Sequence, residues 1–138
     1  MIKKTITYED YFGEKRTEDF YFNLSEAELI EWEMSKDGGM ERFVERVTKS
    51  QSIPELFPIF KDFVLRAYGV KSDDGRQFIK NEEVRQSFEQ CPAYSALVME
   101  LITNTEEAIK FLNGIAPKDI AEKAAKKRVE MLTADKTK

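Results

Sequence analysis

The stretch Phe20-Tyr21-Phe22-Asn23-Leu24-Ser25-Glu26-Ala27-Glu28-Leu29 changes period in its middle, and that change decides the fold. Up to Leu24, the apolar residues Phe20, Phe22 and Leu24 alternate with Asp19, Tyr21 and Asn23, the period of two of a strand with one covered face. At Ser25 a helix start takes over. Ser25 and Glu28 have the spacing of a capping box, in which hydroxyl and carboxylate each satisfy an orphan backbone N–H. Leu24 before the cap and Leu29 at the fourth helical position add a hydrophobic staple.

Upstream, Ile2, Ile6 and Tyr8 alternate with Lys3, Thr5 and Thr7, and a polar link from Asp10 to Lys15 contains Gly13. Residues 2–24 are therefore predicted to form a β-hairpin. A lone hairpin is marginal in water, so helices must cover it or a partner must extend it. Downstream the period is helical. The first helix is predicted over Glu26 to Lys36, stopped by Asp37-Gly38-Gly39, and a second over Met40 to Lys49 presents Met40, Phe43, Val44 and Val47 on one face. Ser52 and Glu55 repeat the capping-box spacing, with Pro54 in the first turn. Pro58 is expected to interrupt the next helix early, leaving its regular part from about Pro58 to a stop at Gly69. Its residues Ile59, Phe60, Phe63, Val64 and Ala67 are apolar over most of the circumference, which makes it the central helix.

Residues 70–81 are expected as a loop, with Ser72-Asp73-Asp74-Gly75 as a turn and Phe78-Ile79 as an apolar anchor. Helices over Glu82 to Gln90 and Ala93 to Ile102 follow, separated by Pro92. Asn104 and Glu107 offer a cap to another, carrying Ala108, Ile109, Phe111 and Leu112 to a stop at Asn113-Gly114. Pro117 opens a last helix through Val129. The expected fold is mainly α with an N-terminal β-hairpin (α+β), a compact bundle of about six or seven short helices. One domain is expected over 1–132, with the hairpin in 2–24 and the helical part in 25–132, followed by a frayed tail at 133–138.

Composition narrows the function. A charged fraction of 35% exceeds the usual quarter or so, as suits helices with a well-solvated outer face. The net charge of −4 disfavours a nucleic-acid partner, because phosphate binding needs a basic field; the single basic run, Lys123 to Arg128, is short. No stretch is apolar and long enough for a membrane span, and the N-terminus lacks the apolar run of a signal peptide. With Cys91 alone, no disulfide can close within the chain. A cytoplasmic location is expected.

Chemistry is hard to find. There is no histidine, which removes the commonest general base and metal ligand. Cys91 lacks an imidazole partner and reads as a small packed residue before a proline. Asp73-Asp74-Gly75 fails as a calcium loop: with Gly75 in sixth place, the first and twelfth ligand positions fall on Val70 and Asn81. Gly38-Gly39 lacks the lysine of a nucleotide loop. The acidic pairs Glu26/Glu28, Glu31/Glu33 and Glu106/Glu107 belong to helix N-termini, where the macrodipole favours them. Trp32, on a strongly acidic helix, is expected to pack under the hairpin. No catalytic, metal or cofactor residues are assigned, no cofactor is expected, and no residues are assigned to partner contact.

Several stretches form a familiar set: Lys4-Thr5-Ile6-Thr7-Tyr8, Arg16 to Ser25, Phe60-Lys61-Asp62, Tyr68 to Ser72, Gly75 to Lys80, Ala93-Tyr94-Ser95 and Phe111-Leu112-Asn113-Gly114. Over residues 3–117 the chain resembles the tail assembly chaperones of long-tailed bacteriophages (siphoviruses), especially those of Gram-positive hosts. The resemblance implies a non-enzymatic protein of the infected host's cytoplasm that binds the long, helical, aggregation-prone tape measure protein until the major tail protein polymerises around it. It also implies absence from the finished virion and, in many such genes, a longer frameshifted product. Self-association through the hairpin edge is a further expectation. Rival readings are a structural virion or head–tail connector protein, and a small phage adaptor that binds a host protein.

Overall fold

The computed structural model describes residues 1–36, 38–50 and 52–115. The expected helix from Pro117, the tail at 133–138 and Asp37 lie outside them.

Strands β1 (Ile2–Glu9) and β2 (Lys15–Phe22) pair antiparallel in unbroken register, from Ile2 opposite Phe22 to Glu9 opposite Lys15. Asp10 builds the turn between them. Its carboxylate accepts from the N–H groups of Phe12 and Glu14, each at 2.9 Å, and from Arg16 Nε at 2.6 Å, while Gly13 takes the left-handed φ of 81° that the turn needs. The Arg16 hydrogen bond, with those from the backbone, holds the Asp10 carboxyl below the usual carboxylate range.

The loop expected over 70–81, together with the helix end expected at Tyr68 and Gly69, contains two more strands. β3 (Tyr68–Lys71) pairs antiparallel with β2, and β4 (Phe78–Ile79) with β3, so the sheet has four strands in the order β1-β2-β3-β4. The turn between β3 and β4 falls where the sequence puts it: Gly75 has φ 74°, its N–H donates to Ser72 O at 3.0 Å, and Asp74 Oδ1 accepts from Arg76 N–H and Ser72 Oγ–H. Four and two residues are too short to show an alternation. Gly69 is therefore not a left-handed helix stop. It lies in β3 with the Phe78 ring against it, and a Cβ there would come within 2.6 Å of that ring.

Six helices follow among the described residues: α1 (Glu26–Met34), α2 (Gly39–Lys49), α3 (Ile53–Ala67), α4 (Glu82–Glu89), α5 (Pro92–Thr103) and α6 (Thr105–Ile115). The Ser25–Glu28 capping box forms in both directions, and Leu24 and Leu29 are buried as its staple. The Ser52–Glu55 spacing does not yield a box, since the Ser52 side chain makes no capping bond. Nor does Pro58 interrupt α3, which starts at Ile53 and runs through it. At that depth the missing N–H deprives only the carbonyl of Pro54, close to the helix start. Gly114, expected as a stop, sits inside α6. Ile2 packs on it so closely that a Cβ would meet Ile2 Cδ1 at 2.8 Å.

The helices cover the sheet face formed by Ile2, Ile6, Phe20 and Phe22. Two aromatic groups share the core. Phe22 meets Tyr68, Phe88 and Phe111, while Phe63 meets Trp32, Phe43 and Phe111, so the Phe111 ring joins the sheet side to the α1–α2–α3 side. Trp32 is buried, but its ring partners are Phe43 and Phe63, with the Arg66 guanidinium over its face at 5.0 Å, and not hairpin aromatics.

Two lysines lock the layers. Lys4, on the covered face between Ile2 and Ile6, reaches Glu100 of α5 at 3.2 Å and Glu107 of α6 at 3.5 Å. Lys80, directly after β4, donates to Glu28 Oε2 at 2.6 Å, to Asn23 O at 2.7 Å and to Arg66 O at 3.0 Å. All three of its donors are used. Burial pulls the Lys80 ammonium below the ordinary lysine range, and the Glu28 hydrogen bond and charge recover only part of that. Burial alone would raise the Glu28 carboxyl; the bonds from Lys80 and Ser25 outweigh it and hold the group below the usual glutamate value.

Phe111→Ala should cost about 3–5 kcal/mol, because it empties the one ring common to both aromatic groups; urea unfolding will show it as a lower midpoint at unchanged slope. The Glu28 shift fixes an acid limb. Its stabilisation is present above the ordinary glutamate value of 4.5 and is lost as pH falls through the lower folded value. In Lys80→Met that limb becomes shallower and neutral-pH stability falls by about 2–3 kcal/mol, the cost of unpaired polar groups at a partly buried charge. Thermal melts from below the folded Glu28 value up to neutrality read both changes.

Candidate functional site

The residues weighed for chemistry are scattered. Cys91 is the N-cap of α5, half-buried at the margin of the core, and Asp73 and Asp74 sit in the β3–β4 turn. Gly38 and Gly39 take φ of 76° and 73° at the start of α2, and the glycine pair serves the chain reversal from α1. Of the acidic pairs, Glu28 is drawn to Lys80, and Glu107 to Lys4 and Lys110. Glu26, Glu28, Glu106 and Glu107 stand in first turns of helices, as the macrodipole reading expects, and Glu28 and Glu107 also tie the helices to the sheet. Glu31 and Glu33 do not fit that reading, because they lie in the second half of α1, toward its C-terminus. Among the described residues no three Asp, Glu or Cys side chains converge as a metal site would require.

Three concavities among the described residues bear on function. One, about 540 Å³, lies between α3 and α4 and is lined by Pro58, Lys61, Asp62, Leu65, Arg66 and Arg85. Each of its cations has a carboxylate: Lys61 pairs with Glu89 at 3.1 Å, Arg66 with Asp62 at 3.7 Å and Arg85 with Glu82 at 3.5 Å. The Glu89 hydrogen bond accordingly raises Lys61 above the usual lysine range. No cation there is left over for an anionic ligand. A second hollow, about 280 Å³, lies under the hairpin tip, where Tyr11 and Phe12 are almost fully exposed and Tyr11 OH donates to Gln90 O at 3.3 Å.

The third is a groove of about 130 Å³ between α2, α3 and α6. Its construction follows from helical spacing. α2 contributes Phe43, Val44 and Val47, and α6 contributes Thr105, Ala108, Ile109 and Leu112, each set lying along one stripe. The floor is aromatic: Phe60 and Phe63 from α3 and Phe111 from α6, with Phe43 stacked on Phe63 at 4.6 Å between centroids. The rims are aliphatic and half open, and Ile109 is 50% exposed. Thr105 supplies the one polar side chain of the lining. Without an ionisable group, this groove can do no acid–base or nucleophilic chemistry; it can bury apolar surface.

Both stripes are visible in the sequence as apolar helix faces. What periodicity does not reveal is that α2 and α6 stand apart over α3, so that part of each stripe is left uncovered by the described residues. The sequence reading missed Lys4 and Lys80 for a related reason. Their partners, Glu100 with Glu107 and Glu28, are distant in the chain, and the only local sign is a lysine at an inward position or just after an apolar pair.

No helix among the described residues is long and apolar enough to cross a membrane. Neither a curated protein nor a solved structure matches the chain. A family model does match, over residues 1–138, and its description is phage tail assembly chaperone. The match takes in the hairpin, the sheet, the groove and the end of the chain alike; this protein belongs to the phage tail assembly chaperones.

Proposed function

We propose that this chaperone binds the tape measure protein of its phage and keeps it soluble until the major tail protein polymerises around it, without catalysing any reaction. The observation that carries this reading is the family match over the whole chain. The groove between α2, α3 and α6 supplies the means. A long helical client presents apolar residues at i, i+3, i+4 and i+7, and an open apolar trough with a stacked aromatic floor receives such a stripe. Contact of this kind needs shape and apolar area and no acid, base, nucleophile or metal. Its affinity is tunable by the length of stripe engaged, as suits a client that must later be surrendered. The working place is the cytoplasm of the infected host, and the protein is left behind when the virion is complete.

Co-expression with the tape measure protein tests the reading directly. A soluble complex of the two chains is expected, and a client that stays insoluble in the presence of the folded chaperone overturns it. Ile109→Glu, at the half-exposed rim, should abolish the soluble complex while changing the chaperone's own stability by no more than about 0.5 kcal/mol, as is usual for surface substitutions. Mass spectrometry of purified virions should find the chain missing; stoichiometric presence there would favour a structural tail or connector role instead.

A further inference from the structure

The outer strand of the sheet, β1, has β2 on one side and, among the described residues, no strand on the other. The direction of its backbone groups follows from two bonds. Asp10 N–H donates to Glu14 O at 2.8 Å, so in the one-to-one register the even-numbered residues of β1 turn their N–H and C=O groups to β2. At the other end Asn23 N–H donates to Ala67 O at 2.9 Å, which turns the odd-numbered residues of β2 toward β3 and requires the same alternation. The outward groups of β1 are therefore those of Lys3, Thr5, Thr7 and Glu9. All four residues are exposed, and among the described residues their outward N–H and C=O groups have no backbone partner.

Natural sheets guard such an edge with proline, a bulge or an inward charge. β1 has no proline and, over eight paired residues, no bulge. Its inward charge, Lys4, is neutralised by Glu100 and Glu107. The two charges on the open face, Lys3 and Glu9, carry no ion pair among the described residues.

We propose that β1 is a self-association edge, pairing antiparallel with β1 of a second copy of this chain about a two-fold axis at Ile6. In this register Lys3 of each copy faces Glu9 of the other and Thr5 faces Thr7, and the outward backbone groups of all four residues meet outward groups of the partner. On the covered face Ile6 meets Ile6, and Lys4 lies opposite Tyr8. A shift by two residues in either direction leaves one of the four without a counterpart in the strand and separates Lys3 from Glu9. The two-fold makes each favourable pair occur twice. Charge complementarity thus selects both the partner and the register.

Sedimentation equilibrium of the full chain, from micromolar to millimolar concentration, tests the proposal. A monomer–dimer equilibrium is expected. Lys3→Glu and Glu9→Lys should each weaken the dimer by roughly tenfold, since each places like charges opposite at two symmetric positions. The combined variant should restore wild-type association. Thr5→Pro, which removes an outward N–H from an edge where proline is tolerated, should leave a monomer that still unfolds cooperatively, its melt lowered by no more than the loss of the exposed Thr5–Asp19 hydrogen bond accounts for. A wild-type chain monomeric throughout overturns the proposal. So does a dimer indifferent to either charge reversal, or one that the combined variant fails to rescue while its melt matches the wild type.

Discussion

The Lys80 ammonium holds the place where sheet becomes helix. Its three hydrogen bonds go to the carbonyl at the end of β2, to the carboxylate that closes the capping box of α1, and to a carbonyl in the last turn of α3. Each acceptor belongs to a different element, and all three meet at a part-buried crossing. The carbonyl at Arg66 is one of the orphan acceptors that every helix end leaves, and a lysine near it is favoured by the helix dipole as well. β4 is only two residues long, yet it delivers Lys80 to this point, which explains why so short a strand matters to the fold. With the crossing held, Phe22 meets Phe111, and Phe111 in turn meets Phe63.

Much of this was legible in the residues. The period change at Leu24–Ser25 marks the hairpin, the cap and the staple because all three are local events, decided within about five positions of one another. The sheet's second half was not legible. Tyr68–Lys71 and Phe78–Ile79 are strands because β2 stands ready to pair with Tyr68 and Gly69, and no window of local sequence contains β2. The same distinction governs the glycines. Gly13 and Gly75 are turn residues, as local chemistry predicts, whereas Gly69 and Gly114 are small because Phe78 and Ile2 lie on them. Proline misled in the opposite sense: Pro58 looks like a break, but so near the start of α3 it costs little.

The groove proposed for the client is built from the same packing that makes the core. Phe43, Phe60, Phe63 and Phe111 make a rigid aromatic base by touching one another, and that base is also core. Val44, Val47, Ile109 and Leu112 stand above it with part of their surface left over. The proposed client-facing surface is therefore continuous with the residues that stabilise the chaperone. A substitution in the floor damages fold and binding together, whereas one at the rim separates them, and only the rim can report on function.

A sheet continued through β1 would bear on that groove through α6. Ile2 of β1 packs on Gly114 of α6, and α6 is one wall of the groove, so an edge-paired dimer carries two grooves at a spacing set by the shared sheet. For a long client with repeated apolar stripes, the second groove then binds at the effective concentration created by the first, raising avidity with no new contact to the client. The arrangement would also make release cooperative: once one stripe is withdrawn, the other is held by a single modest apolar contact. Modest grooves joined by a weak, salt-sensitive strand edge would suit the proposed role of holding a helical client during assembly and releasing it afterwards.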